Sequence, residues 1–275
     1  MQIFIPSRSR FGIKSLTIER IQGGWEKEHE AFLVVPTAQR KQYLSMPNRG
    51  NIPVLGCPRD GIAGTRQWIG QRARNKFLML DDDLRFFYRP LVRPDDDPLP
   101  GAGQPNEGPV RLYRSKPEHI AAMLATVERA LDDYAHVGIS PRDGNNNSPW
   151  PAWECKRPLR ALAYRRGPFL AVEHGRVAIM EDFDVTMQLL ERGQKNLLIT
   201  EFAQDQYRTQ LPGGCEDYRT HKLHEDNVRK FQSLHSEFVT LRQKANKHGG
   251  EFGHRLEATI YWKKAYEAAL KELGL

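Results

Sequence analysis

The sequence predicts an α/β fold in which a mostly parallel sheet is flanked by helices, and three observations support this prediction. Short apolar runs alternate with helical patterns over the first third of the chain. Residues 77–80 are four consecutive apolar residues, which is typical of a strand buried on both faces. Asp81, Asp82 and Asp83 follow this run directly, and ligands bind at the carboxyl ends of the strands in such sheets. We therefore expect the functional site at this edge.

The elements before the acidic triplet follow one another with short links, which favours a mostly parallel sheet. We predict helices at 15–22 and 61–74 and strands at Gln2–Pro6, 31–35, 52–55 and 77–80.

The second half of the chain begins with residues 89–110, whose many prolines and glycines predict a flexible surface loop. Beyond it we predict strands at 159–164, 177–180 and 196–200, and helices at 116–136, 185–191, 220–233 and 261–273. We expect residues 1–220 to form one domain and residues 221–275 to form a helical extension packed on it.

Composition limits the class of protein. The 275 residues are 39% hydrophobic, which supports a sizeable core. No apolar stretch approaches the roughly 20 residues that span a bilayer, and the first residues lead into a strand, so we expect a cytoplasmic protein without a membrane partner. Three cysteines without CxxC spacing favour reduced thiols. The net charge of +7 is compatible with a polyanionic partner.

The acidic triplet predicts a metal site. In an extended strand end, Asp81 and Asp83 share an orientation while Asp82 points elsewhere. Two such carboxylates suit Mg²⁺ or Mn²⁺, which completes its shell with substrate phosphates. A hydrophilic strand cap is the structural alternative, and a nuclease or a nucleotidyltransferase could use the same pair.

A second acidic group follows the predicted strand 177–180. Glu181, Asp182 or Asp184 could act as a general base beside the metal, because two acidic strand ends in a parallel sheet lie at the same edge. Capping of the next helix by Asp182 or Asp184 is the competing interpretation. Farther along, His221 follows the turn sequence of residues 212–215 and is a weaker candidate for the metal shell, since a lone histidine is more often a surface or packed residue.

Basic residues concentrate between residues 154 and 175, where they outnumber acidic ones and favour contact with phosphates or, alternatively, a solvated basic face. The basic cluster consists of Lys156, Arg157, Arg160, Arg165 and Arg166.

In chain order, these motifs resemble those of nucleotide-sugar glycosyltransferases of the GT-A fold. The resemblance rests on residues 3–8, 61–66, 81–83 and 181–184. Together with Gly144-Asn145-Asn146, Phe202-Ala203-x-Asp205-Gln206 and residues 212–219, the chain more narrowly resembles phage glycosyltransferases associated with TET/JBP-type dioxygenases. The resemblance spans residues 1–238, and it departs at Ser9, where the opening motif has glycine.

The resemblance implies a GT-A-like fold and transfer of a sugar from a UDP-sugar to 5-hydroxymethylcytosine or 5-hydroxymethyluracil in DNA, with inversion, in the cytoplasm of an infected bacterial host. It implies that Asp81 and Asp83 hold Mn²⁺ or Mg²⁺ and that Asp182 is the base, with Glu181 and Asp184 as alternates. The nucleotide-sugar site then comprises Pro6, Ser7, Arg8, Arg66, Asp81 and Asp82.

If DNA is the acceptor, the basic cluster is expected to contact the DNA phosphates. Two other functions stay open at this point. One is a GT-A enzyme acting on a small molecule, a glycan or a protein, and the other is a non-catalytic nucleic-acid-binding protein. The acidic sheet edge argues against the latter because carboxylates repel phosphate.

Overall fold

The fold is taken from a computed structural model, which describes residues 1–22, 29–90, 112–142, 152–206, 220–245 and 254–275. In this part of the chain no helix is both long and apolar enough to cross a membrane.

The main sheet has the strand order β3-β2-β1-β4-β9-β7-β10-β5-β6, with β8 paired to β10. Strands β1 to β4, β7 and β10 run in one direction, while β9, β5 and β8 run against their neighbours. The α/β fold class with a mostly parallel sheet is therefore confirmed. The strands of this sheet are β1 (Gln2–Pro6), β2 (Glu30–Pro36), β3 (Val54–Cys57), β4 (Lys76–Leu80), β5 (Leu84–Tyr88), β6 (Tyr113–Arg114), β7 (His136–Pro141), β8 (Ala152–Glu154), β9 (Ala161–Arg165) and β10 (Asn196–Gln206).

Helices cover both faces of this sheet, and two strands form a separate hairpin near the carboxyl terminus. The helices are α1 (Leu16–Ile21), α2 (Arg40–Tyr43), α3 (Gly61–Arg72), α4 (Pro117–Ala130), α5 (Arg166–Leu170), α6 (Glu181–Leu190), α7 (His221–Leu234) and α8 (Trp262–Glu272). The hairpin strands are β11 (Val239–Ala245) and β12 (His254–Ile260).

Alternating side chains of the central strands divide the core into two layers. Leu78 of β4 packs with α1 and α4, whereas Phe77 and Met79 pack with α3, α5 and α6. Because successive strand side chains point to opposite faces, a strand covered on both sides must be apolar throughout. This is why residues 77–80 read as one continuous apolar run.

A third apolar cluster joins the carboxyl-terminal segment to the main domain. Met187 and Leu190 of α6 pack against Phe231 of α7 and Ala265 of α8. The predicted carboxyl-terminal helices are present, and β11 and β12 lie between them as a hairpin that the sequence analysis missed.

Two further differences from the sequence prediction affect the site. Residues 177–180 do not form a strand, and α6 begins at Glu181, directly after Met180 in a left-handed conformation with φ of 67°. The predicted loop 89–110 is preceded by β5, and residues 91–110 of that loop lie outside the described residues. The strand prediction for residues 177–180 was wrong because a run of four apolar residues is too short to show a periodicity that would distinguish a strand from a buried loop.

Gly138 of β7 lies under the segment that leads to Arg160. A Cβ atom at this position would lie 2.3 Å from the Cβ atom of Pro158. We expect Gly138→Ala to lower the free energy of unfolding by about 1–3 kcal/mol, as overpacked core positions do. Chemical denaturation measures this effect. Gly167→Ala, where a Cβ atom meets no neighbour within 4 Å, is the control, and equal stability of the two variants would contradict the expectation.

Candidate active site

A cavity of about 370 Å³ opens at the carboxyl ends of β1, β2 and β4. Its walls come from the loop after β1, the start of α3, the acidic triplet, the start of α6 and the segment that leads into β9. All of the predicted nucleotide-sugar residues line it. The arginine side chains of the wall belong to Arg8, Arg10, Arg59, Arg66, Arg157 and Arg160. This combination of arginines and carboxylates suits a phosphate ligand accompanied by a cation.

The loop after β1 turns sharply at Ser9, which adopts φ of 57°. Glycine reaches this left-handed region without steric cost, which explains a glycine at this position in the opening motif that the chain resembles. Ser9 is held there by Gln39, whose Oε1 atom accepts from the backbone amide of Ser9 at 2.9 Å and whose Nε2 atom donates to its hydroxyl at 3.0 Å. The tight turn therefore exists despite the serine.

All three aspartates of the triplet line the cavity. The expectation that Asp82 points away from Asp83 is wrong, because β4 ends at Leu80 and the chain turns at once into β5. Asp82 accepts hydrogen bonds from Ser7 and Arg10, and the same Arg10 nitrogen lies 3.1 Å from Asp83 Oδ2. Period-2 alternation holds only in an extended chain, so it fails in this turn.

Asp83 is also contacted from β10. Gln206 Nε2 donates to Asp83 Oδ1 at 3.1 Å. Arg10 and Gln206 were therefore missed by the sequence analysis as direct partners of the triplet. Arg10 could have been proposed from the sequence, because it lies in the basic loop that follows the first strand. Gln206 could not, because it reaches the site through antiparallel pairing of β10 with β5, which the sequence analysis did not predict.

Arg66 joins the two acidic groups of the site. It forms an ion pair with Glu181, and its Nη2 atom lies 3.4 Å from Asp81 Oδ1. Burial opposes the charge of Arg66, but Glu181 and Asp81 raise the pKa of the guanidinium above its ordinary value. The acidic groups are thus brought together as predicted, although the second lies in the first turn of α6 and not at a strand end.

Burial and like charges perturb the pKa values of Asp81 and Asp82. Desolvation, together with repulsion from Asp83 and Asp82, raises the pKa of Asp81 to about 7, and Arg66 opposes this shift. Burial also raises the pKa of Asp82, against the lowering effect of Arg10 and Ser7. Like charges crowded in a cavity are relieved by a cation.

Removal of Arg66 breaks its ion pair with the buried Glu181 carboxylate. We expect Arg66→Met to lower the free energy of unfolding by about 3–5 kcal/mol, the usual cost of breaking a buried pair from one side. Urea denaturation measures the loss. The double variant Arg66→Met/Glu181→Gln should recover part of it, and a double variant less stable than the single one would contradict this account.

The residues fit a divalent metal by donor type, since carboxylate oxygens are what Mg²⁺ and Mn²⁺ prefer. Among the described residues, no group of three or more His, Cys, Asp or Glu side chains converges on one point that could hold a metal ion. Asp81 and Asp83 would therefore hold the ion together with ligands from the substrate. His221 lies at the first position of α7 and does not line the cavity.

The candidate bases differ in position. Asp182 lines the cavity, and Glu181 lines it while paired with Arg66. Asp184 is 1% exposed and is bound by Arg176, so it does not face an acceptor. A base must reach the hydroxyl proton, and this requirement favours Asp182 over Asp184. Neither aspartate caps the helix, because Met180 occupies the capping position.

The predicted basic cluster does not form one surface. Arg157 and Arg160 line the cavity, but Arg165 pairs with Lys76 at the opposite end of β9. The four residue steps from Ala161 to Arg165 separate the two groups by about 13 Å. Arg166 donates to the backbone of Gln71 at that same end, and Lys156 lies beside Asn196 at the start of β10. The residues of the basic cluster are close in the sequence but do not all lie together in the structure, because strand β9 separates them.

Two motifs of the sequence analysis, residues 144–149 and 212–215, lie outside the described residues.

Comparison with known proteins identifies the family. A model of the TET-associated glycosyltransferases matches residues 1–214, well over half of the chain. The chain belongs to this family. It is therefore a glycosyltransferase, and a purely non-catalytic nucleic-acid-binding role is set aside.

Two curated relatives of this glycosyltransferase come from enterobacteria phages T6 and T2, and both are described as beta-glucosyl-HMC-alpha-glucosyl-transferases. They are 23% and 22% identical over 245 residues, which cover 86% of this chain and 81% of each relative.

Solved structures also resemble the glycosyltransferase. Glucosyl-3-phosphoglycerate synthase from Mycobacterium tuberculosis, solved with Mn²⁺, UDP and phosphoglyceric acid, has a TM-score of 0.46 and 9% identity over 94% of this chain and 86% of its own. S. aureus TarS 1–349 has a TM-score of 0.41 and 11% identity over 84% and 65% of the two chains. Scores this low carry no argument about substrate or metal.

Proposed function

We propose that this glycosyltransferase moves a sugar from a UDP-sugar to the hydroxymethyl group of a 5-hydroxymethylpyrimidine in phage DNA. The observation that carries the proposal is that several arginines, the acidic triplet and Asp182 line one and the same cavity. The names of the T6 and T2 relatives, which specify a modified hydroxymethylcytosine as acceptor, support DNA as the substrate class.

On the donor side, arginines bind the diphosphate through charge-assisted hydrogen bonds. Arg8 and Arg66 are the proposed nucleotide contacts, and Arg160 is a further one. Arg160 adopts a left-handed backbone with φ of 64°, and its carbonyl accepts from the amide of Asp81 at 3.0 Å. Such backbone conformations are held in place where surrounding structure requires them, and they cluster at functional sites.

A divalent ion held by Asp81 and Asp83, Mn²⁺ or Mg²⁺, would supply electrostatic stabilisation of the departing diphosphate. Asp182 accepts the proton of the hydroxymethyl group, and the resulting oxygen attacks the anomeric carbon of the sugar. The bond from that carbon to the phosphate oxygen breaks, and its electron pair leaves with UDP. Direct displacement of this kind inverts the anomeric carbon.

On the acceptor side, Arg157 and Phe183 form a flat surface beside Asp182. The guanidinium carbon of Arg157 lies 3.9 Å from the centre of the Phe183 ring, and Ile179 and Met180 extend the wall. Nucleobases stack on aromatic rings and on arginine planes when they leave the helical stack. We propose that the acceptor base rests on Arg157, with its hydroxymethyl group toward Asp182.

Arg157→Lys keeps the positive charge but removes the planar group. We expect the Michaelis constant for hydroxymethylated DNA to rise roughly 5- to 150-fold, the equivalent of about 1–3 kcal/mol of stacking per base, while the Michaelis constant for the UDP-sugar is unchanged. Steady-state kinetics measure both constants. Arg165→Lys, at the far end of β9, is the matched control. An unchanged constant for DNA in Arg157→Lys would assign Arg157 to phosphate contact alone.

The relatives' name favours a second acceptor, a sugar already attached to hydroxymethylcytosine, and an α-linked product. Direct displacement on an α-linked donor such as UDP-glucose instead yields a β-linked product.

One experiment distinguishes the two candidates. The protein is incubated with UDP-sugars, Mn²⁺ and DNA that carries either hydroxymethylcytosine or its β-glucosyl form, and the digested nucleosides are analysed by mass spectrometry and NMR. A β-linked hexose on hydroxymethylcytosine supports the proposal, and an α-linked hexose on the glucosyl base supports the second candidate. Transfer only to a small molecule, glycan or protein would overturn both.

A further inference from the structure

The segment that delivers Asp182 to the cavity has no regular secondary structure of its own. Residues 176–180 precede α6 without helix or strand, and the segment ends at Met180 with φ of 67°. A non-glycine residue in this region costs about 1–3 kcal/mol and persists only where its surroundings hold it. A methionine side chain also cannot cap α6. Contacts from elsewhere must therefore hold the segment.

The first of these contacts comes from Asn227, a buried residue of α7. Its Oδ1 atom accepts hydrogen bonds from the backbone amides of Ala178 at 2.7 Å and Ile179 at 3.3 Å. Its Nδ2 atom donates to the carbonyl of Leu223, one turn earlier in α7, at 2.8 Å. The asparagine thus replaces the hydrogen bonds that a strand neighbour would supply to the segment.

A second set of contacts fixes the segment at its start. Arg176 Nε donates to Asp184 Oδ2 at 3.0 Å, which ties the segment to the first turn of α6. His235, which follows the last residue of α7, lies with Nε2 2.9 Å from Asp184 Oδ1 and with Nδ1 2.7 Å from Glu191 Oε1. The imidazole is fully buried and so bridges α6 and α7 out of contact with bulk water. Asp184, which is unsuited as the base, has a structural role here.

These contacts meet at the cavity wall. Ile179 and Met180 line the cavity next to Glu181 and Asp182, while Asn227 and His235 do not line it. Two of the residues that hold the acidic turn, Asn227 and His235, therefore lie in α7 and directly after it, beyond the stretch of the chain that matches the family model.

We propose that Asn227 and His235 are positioning residues that hold the Glu181–Asp182 turn toward the acceptor, so that α7 is part of the catalytic apparatus. The proposal rests on the function assigned to Asp182 in sugar transfer. Displacement of a reacting group by about 1 Å can cost on the order of 10²-fold in rate, so small shifts of this turn are expected to matter.

The test compares two substitutions at one position. Asn227→Leu removes the acceptor oxygen at similar volume, and Asn227→Asp keeps it. We expect kcat for transfer to fall about 10- to 100-fold in Asn227→Leu, while the dissociation constant for UDP with Mn²⁺ and the Michaelis constant for the donor stay at parental values. Asn227→Asp should restore most of kcat. Ser233→Ala, at an exposed position of the same helix, is the control.

Hydrogen exchange provides a readout that does not depend on the acceptor. The amides of Ala178 and Ile179 should lose protection in Asn227→Leu and keep it in Asn227→Asp. If no variant or parental protein transfers sugar to DNA, the proposed function fails while the exchange result still tests the contact. Parental kcat in Asn227→Leu, or equal loss of kcat in both variants, would overturn the positioning role.

His235→Gln is used if Asn227→Leu does not fold. Its side chain can donate to only one of the two carboxylates that His235 joins, and we expect the same fall in kcat at an unchanged donor constant. Parental kcat in His235→Gln would likewise contradict the proposal.

Discussion

We expect Asp83→Ala to abolish sugar transfer and metal-dependent binding of UDP, while the chain remains folded. Asp83 is one of three adjacent carboxylates in the cavity, where it accepts hydrogen bonds from Arg10 and Gln206. Loss of a ligand removes the stabilisation of the diphosphate, and we expect transfer to fall by at least about 10²-fold. Removal of one like charge also relieves repulsion on Asp81, so the folded state without metal should not be destabilised by lost charge balance.

Calorimetry measures this effect directly. Titration of UDP into the protein with and without Mn²⁺ should show a metal-dependent gain in affinity in the parental protein and none in Asp83→Ala. Asp132→Ala, in an ion pair with Lys76 at the opposite end of β4, is the control for charge. Equal metal-dependent affinity in Asp83→Ala and the parental protein would remove Asp83 from the metal site.

We expect Asp182→Asn to lower kcat by about 10²-fold or more and to leave donor binding intact. Asparagine keeps the shape of the side chain at the start of α6 but cannot accept the proton of the attacking hydroxyl. Asp182 lines the cavity and forms no ion pair with a residue that the structure describes, so the substitution breaks no salt bridge among those residues.

The measurement is a pair of constants for each variant, kcat for transfer and the dissociation constant for UDP. Asp184→Asn is the informative comparison, because it weakens the contacts to Arg176 and His235 and should lower stability more than Asp182→Asn does. If Asp182→Asn transfers sugar at the parental rate while Glu181→Gln does not, the base is Glu181.

The local sequence predicted the structure correctly where a single strand and its end were sufficient to define it. The apolar run 77–80 is β4, and the triplet after it lies at the cavity, because a strand covered by helices on both faces must be apolar and its carboxyl end must face solvent or ligand.

Predictions from sequence patterns were wrong where the structure depends on contacts between distant parts of the chain. Residues 177–180 were predicted as a strand because they are apolar, yet they form a loop in which Val177 and Ile179 are buried. Asn227 of α7 accepts hydrogen bonds from the amides of Ala178 and Ile179. The hydrogen-bond partner of such a loop is 48 or 49 residues away, and no short window of sequence contains it. The prediction that the basic cluster forms one surface was wrong for a related reason, because β9 places Arg165 far from Arg160.

The sequence by itself determined the fold class, the acidic edge of the sheet and the motifs of a glycosyltransferase, because each depends on periodicity, on strand ends or on neighbouring residues. Only the tertiary structure decided which side chains share the cavity. It brought Arg10 and Gln206 to Asp83, joined Glu181 to Asp81 through Arg66, turned Asp184 away, and separated Arg157 from Arg166. Ion pairs and hydrogen bonds form between atoms about 3 Å apart, and folding sets these distances between residues that lie far apart in sequence.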